Sequence, residues 1–252
     1  MPKLNRDGVE IYFEDHGQGP AVLLTHGYSA ASTMWRDQVA ALRDDHRVIV
    51  WDMRGHGRSD YPEDQGLYSE ANTVADMAAL LDHCGVDTAV IGGLSLGGYS
   101  SLAFHLAHSG RTRALMLFDT GPGFRKDDAR DAWNKYALSR ADALDRDGLS
   151  ALGSSDEVQQ AQHRSADGLA RAARGMLTQR DAGVINSLSD IAVPTLVLVG
   201  ADDTNFLAAT DYMAAKISNA VKVVIPDAGH AANIHQPAAF NDAMRSFLAT
   251  LP

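Results

Sequence analysis

Six short runs of the chain are almost wholly apolar: "AVLLT", "RVIVW", "TAVI", "ALMLF", "TLVLV" and "VKVVI". Each is too short for a helix and lacks strict alternation, so each suits a strand covered on both faces. Segments with helical spacing separate them. "STMWRDQVAALRDD" sets Trp35, Val39 and Leu42 on one side, and "TVADMAALLDHCG" closes on Gly85. "LGGYSSLAFHLAHSG", "DYMAAKI" and "PAAFNDAMRSFLATL" are the other helical segments of the alternation. Strand and helix in turn, with short connections, predict an α/β fold: a mostly parallel, doubly wound sheet with helices on both faces. Ahead of it, "VEIYFED" alternates after a "DG" turn and predicts an antiparallel N-terminal hairpin.

The alternation breaks once. Residues 124–190 hold no strand-like run, and "DAWNKYALSRADALDRDG" and "ADGLARAARGMLTQRD" read as two amphipathic helices. The expected organisation is a body of residues 1–123 and 191–252, carrying a helical cap insertion over residues 124–190. A chain of 252 residues suits one such domain. Its formal net charge of -10 repels phosphate backbones and anionic lipid, so neither nucleic acid nor membrane is an expected partner. Cys84 is the sole cysteine, which leaves no internal disulfide. The opening "MPKLNRDGVEIYFEDHG" has no apolar leader-like core, and the expected location is the cytoplasm. Composition says nothing of the oligomeric state.

Open parallel sheets bind ligands beyond the carboxyl ends of their strands. The residues there are His26, Asp52, Ser95, Asp119, Asp203 and His230. Gly93-Leu94-Ser95-Leu96-Gly97 is a G-x-S-x-G turn between a strand and a helix, the arrangement that lifts a serine hydroxyl above a sheet. A serine needs a base, and the base needs an orienting acid. His230, after the last strand in "PDAGHAANIH", is the base the spacing favours. Asp203 is the preferred acid, Asp119 the alternative on the preceding strand, and Asp202 reads as a solvated loop carboxylate. The backbone N–H groups of Leu96 and Tyr28 are the expected oxyanion donors, and His26 is read as a brace for the Tyr28 loop. His230 and His235 have no acidic or cysteine cluster beside them, so no metal is expected, and no cofactor is required.

The segments "HGYSAASTMW", "DMRGHGRSD", "GLSLGG" and "GADD…GH" together resemble the α/β-hydrolase fold superfamily, over nearly the whole chain. The short length and helical insertion resemble its small lid-bearing serine esterases, enol-lactonases and carbon–carbon bond hydrolases. The resemblance implies a catalytic triad of Ser95, Asp203 and His230 and an oxyanion hole at Tyr28 and Leu96. It implies mainly structural roles for Arg54 and His56. Relatives often carry an acid where this chain has His235. Aspartate-nucleophile relatives are disfavoured by the serine at the elbow. The expected activity is hydrolysis of a small to medium carboxylic ester or lactone through an acyl-enzyme. A carbon–carbon hydrolase, thioesterase or perhydrolase with the same triad stays open, as does a non-catalytic receptor on this fold. Substrate choice is expected from the cap, where Trp133, Tyr136 and Met176, with Leu138 and Leu177, either line a pocket or pack the cap onto the body.

Overall fold

A computed structural model describes residues 3–251. Eight strands form one sheet among these residues: β1 (Lys3–Arg6), β2 (Val9–His16), β3 (Ala21–Thr25), β4 (Arg47–Trp51), β5 (Ala89–Leu94), β6 (Thr112–Phe118), β7 (Thr195–Gly200) and β8 (Ala220–Ile225). Their spatial order is β1-β2-β4-β3-β5-β6-β7-β8. β1 and β2 pair antiparallel and β2 joins β4 antiparallel, while every pair from β4 onward is parallel. All six apolar runs are therefore strands of one parallel array.

Burial on both faces explains why these runs lack alternation. Along β3, Leu23 packs on one side with Ile49, Ile91, Leu115 and Val197. Val22 and Leu24 pack on the other with Val48, Val50, Val90, Met116 and Leu198. The first face is covered by α2 (Glu70–His83) and α3 (Leu96–Ala107), through Met77, Leu80, Leu102 and Phe104. The second is covered by α1 (Arg36–Leu42) and the C-terminal helix Pro237–Leu248, through Val39, Leu42, Phe240, Met244 and Phe247. Each such side chain contributes roughly 1.5–3 kcal/mol by leaving water. β8 is the exception to the expectation of two covered faces. It is the sheet edge, and Val221 and Val224 are 54% and 41% exposed.

Between β6 and β7 lie α4 (Asp127–Asp147), α5 (Asp156–Gln160), α6 (Ala166–Ala172) and α7 (Gly183–Asn186). The long α4 matches the first helix expected there. The second is shorter than expected: α6 widens into one π turn, Ala173–Leu177, and stops. Gly175 in that turn lies against the Tyr68 carbonyl, where a Cβ would stand 1.9 Å from the oxygen. A small apolar cluster of Ala141, Leu144, Leu169, Ala170 and Ala173 holds α4 to α6. Past β7 follow α8 (Leu207–Lys216), and past β8 the short α9 (Ala232–His235) and α10 (Pro237–Leu248).

Candidate active site

Ser95 is the single residue between β5 and α3, at φ 56 and ψ -117. A non-glycine residue in that region is strained and persists only where its surroundings hold it. Here they do: Ser95 N–H donates to Phe118 O at 2.9 Å, and the Thr120 hydroxyl donates to Ser95 O at 2.6 Å. Gly93 and Gly97 permit the tight turn. A Cβ on Gly93 would stand 2.4 Å from the Gly97 carbonyl carbon, and one on Gly97 would stand 2.1 Å from Thr25 O. The Leu96 N–H opens α3, where helix geometry provides no intrahelical acceptor and the dipole favours negative charge.

Gly27 packs beside this turn: a Cβ there would meet Ser95 Cβ at 3.4 Å. The Gly27–Tyr28 peptide is anchored by its carbonyl. Met53 N–H donates to His26 Nε2 at 2.9 Å, so Nδ1 carries the ring proton and donates it to Gly27 O at 2.7 Å. Ala30 N–H donates to the same oxygen at 3.1 Å. In a trans peptide the Tyr28 N–H points opposite to that fixed carbonyl. His26 is fully buried, and burial lowers its pKa to about 4, which keeps it the neutral brace the sequence suggests.

On the other side, Asp203 follows β7 and is 5% exposed, and its Oδ2 accepts from His230 Nδ1 at 2.7 Å. The His230 ring stacks on Phe206, with centroids 5.1 Å apart. Burial of the ring disfavours its charge, but the hydrogen bond and charge of Asp203 outweigh it and raise the His230 pKa above 6.5. Asp202 is exposed and uses its N–H on Ala228 O at 2.8 Å.

Asp119 sits at φ 44, fully buried, and its Oδ1 accepts from Gly200 N–H at 2.8 Å. Its Oδ2 is buried without a hydrogen-bond partner. Burial raises this carboxyl to about 8, against the lowering pull of the Gly200 bond and of His230. Asp119 therefore neighbours the pair without holding the imidazole. Asp52, the remaining strand-end acid, accepts from Ser32 N–H at 2.7 Å and Arg58 N–H at 2.8 Å and shapes the loop after β4. Arg54 forms a buried ion pair with Asp76 at 2.7 Å, and His56 Nδ1 meets Arg54 O at 3.0 Å, both in keeping with structural roles.

The expected cap contacts fall in different settings. Trp133 donates its indole N–H to Leu177 O at 2.8 Å and lies between the rings of Phe124 and Tyr136. Tyr136 is 52% exposed, and Met176 is buried in the core shared with the body. Sequence reasoning missed Phe206, His163 and the second use of His235. Gly229 N–H, beside the catalytic-histidine candidate, donates to His235 Nδ1 at 2.9 Å, and His235 Nε2 lies 3.3 Å from Asp156 on α5. Among the described residues no group of three or more His, Cys, Asp or Glu is placed to hold a metal ion, and no helix is long and apolar enough to cross a membrane.

A serine on a strained strand-to-helix turn, with an Asp–His pair from two later strands, defines a class. Residues 22–243 match the alpha/beta hydrolase family, and the chain belongs to it. The chain is 28% identical over 270 residues to 3-oxoadipate enol-lactonase 1 of Acinetobacter baylyi, covering 98% of this chain and 96% of that one. It is 30% identical over 265 residues to a putative carbamate hydrolase of Pseudomonas savastanoi pv. phaseolicola, covering 95% and 97%. Among solved structures, a thermophilic esterase from Thermogutta terrifontis superposes with a TM-score of 0.86 at 30% identity, covering 100% of this chain and 99% of the other.

Proposed function

We propose that this enzyme hydrolyses a carboxylic ester or lactone of small to medium size through an acyl-enzyme on Ser95. The observation that carries the reading is the 2.7 Å bond from His230 Nδ1 to a buried Asp203, set across the strand ends from a serine held at φ 56. Asp203 holds the imidazole with Nδ1 protonated, which leaves Nε2 free as an acceptor for the Ser95 proton. Ser95 Oγ attacks the carbonyl carbon, and the N–H groups of Leu96 and Tyr28 receive the oxyanion. His230 returns the proton to the leaving oxygen. Water then attacks the acyl-enzyme by the same path. An enol-lactonase and an esterase among the full-length relatives support this substrate class.

Residues 1–123 and 191–252 act as the catalytic body in this reading, and residues 124–190 as a cap that selects the substrate, with Trp133, Tyr136 and Met176 as its contacts. The test is covalent. A fluorophosphonate labels the wild type at Ser95, and Ser95→Ala abolishes labelling and lowers kcat on a p-nitrophenyl ester by about 10⁶. Labelling at another serine, or turnover surviving in the variant, overturns the reading.

A further inference from the structure

His163 lies between α5 and α6, in an irregular stretch of the helical segment, yet both of its ring nitrogens serve the body. Gly57 N–H donates to Nδ1 at 3.2 Å, so the ring proton is on Nε2, which donates to Ser29 O at 2.9 Å. Ser29 stands at φ 60, a strained conformation that needs external support. It directly follows Tyr28, whose own hydroxyl donates to Leu169 O at 2.9 Å, again in the helical segment. The Tyr28 N–H is thus gripped on three sides. The body holds the Gly27 carbonyl through His26, and the helical segment holds the Tyr28 hydroxyl and the Ser29 carbonyl.

The stacking around His163 completes the mount. Its ring meets His56 edge-on with centroids 5.7 Å apart, and His56 in turn meets His26 at 5.0 Å and Tyr28 at 5.7 Å. His56 is fully buried, and its Nδ1 is engaged by Arg54 O. His56 is thus the common neighbour of the other three rings, between the helical segment and the peptide that carries the N–H. Burial lowers the His163 pKa, so the neutral ring with one donor and one acceptor is the form present at neutral pH.

We propose that His163 is a positioning residue for the oxyanion donor: by clamping Ser29 O and Gly57 N–H, it lets the helical segment aim the Tyr28 N–H at the reacting carbonyl. The inference rests on the proposed serine mechanism. His163 touches no reacting atom and acts only through the loop. An oxyanion donor lost outright costs 10²–10³ in kcat, so a misaimed donor costs less.

The experiment compares His163→Ala, His163→Gln and Tyr28→Phe with wild type, using a p-nitrophenyl ester and a trifluoromethyl ketone. The ketone adds to the serine as a tetrahedral oxyanion mimic. His163→Ala should lower kcat about tenfold, leave KM within about twofold, and weaken ketone binding about tenfold, because only the tetrahedral species uses the donor. Glutamine keeps one donor and one acceptor and should recover kcat to within about threefold of wild type. Tyr28→Phe removes only the hydroxyl and should cost about threefold in kcat. The proposal is overturned if His163→Ala leaves kcat and ketone binding unchanged, if the loss lies in KM alone, or if Gln performs no better than Ala. Should His163→Ala fail to fold, His163→Phe, which fills the space but can neither donate nor accept, carries the same readings. Ser95→Ala in parallel separates the two levels. Activity that survives it removes the serine mechanism itself, whereas serine-dependent activity indifferent to His163 removes only this inference.

Discussion

Ser95, Asp203 and His230 stand on connections that leave β5, β7 and β8, at or within five residues of a strand end. The helical segment between β6 and β7 reaches the same region differently. It uses long-range contacts from a histidine and from a helix carbonyl that receives the Tyr28 hydroxyl of the body, set on a cluster of five small and medium side chains. Backbone in a parallel sheet is fixed by its neighbours on both sides, so a residue at a strand end inherits angstrom-level placement. The helical segment inherits position only from packing and a few hydrogen bonds. On the proposed mechanism this amounts to a division of labour, with bond-making at the strand ends and selection and aim in the helical segment.

That contrast breaks most visibly if a strand-end residue proves dispensable. Asp203→Asn should lower kcat by about 10⁴, with folding intact. The wild-type rate should fall on the acid side with a midpoint above 6.5, since His230 must be neutral to act and its pKa is raised. In the variant, burial of the ring is no longer outweighed, and the midpoint of the residual activity should move to lower pH. Rate–pH profiles of both proteins check this, and an unchanged midpoint would detach Asp203 from the base.

The helical side is tested by Trp133→Ala, which removes the bond to Leu177 O and the packing between Phe124 and Tyr136. KM should rise about tenfold while kcat stays within about threefold. A kcat loss as large as that of Asp203→Asn would place chemistry in the segment and dissolve the distinction.

The smallest effect belongs to Asp119→Asn. The amide oxygen still accepts from Gly200 N–H, so kcat should stay within about fivefold. The informative readout is stability against pH. The buried carboxyl stays protonated up to about 8, whereas in the unfolded chain it ionises near 3.8. Wild type therefore loses stability as pH rises through that window. The variant lacks this loss, and its Tm relative to wild type should climb between pH 4 and pH 8. A flat difference would mean that Asp119 is ionised in the fold.

What was legible in the sequence follows the same divide. "AVLLT", "RVIVW" and "TLVLV" are strands because burial on both faces leaves an apolar run that local reading detects. The residues just past them, His26 and Asp203, could be singled out by position alone, as could His230 past the edge strand "VKVVI". The two carboxylates at the ends of β6 and β7 could not be separated that way. What separates them is hydrogen bonding seen only in the fold: Asp119, at φ 44, accepts from Gly200 N–H, while Asp203 accepts from the imidazole. His163 had no local signature at all. It sits in the polar run "QHRSADG", and its partners Ser29 and Gly57 are more than a hundred residues away in the chain. Periodicity reports which face of an element is buried, not which distant loop it will meet. The π turn that ends α6 was equally hidden, and Gly175 within it packs on the carbonyl of Tyr68, which is more than a hundred residues away in the chain.

The order of strands also bears on when the molecule becomes reactive during synthesis. β3, β5 and β6 are neighbours and come early in the chain, so the strained turn at Ser95 can form while the rest is still emerging. Asp203 and His230 arrive only with β7 and β8, added in succession at one edge after the helical segment has been made. Long-range parallel pairing of that kind is slow, because loop closure precedes its reward. A chain ending before β7 would lack Asp203 and His230, and with them the proposed base. On the proposed mechanism, completing the last two strands is the arming step, and a chain lacking them should not turn over an ester.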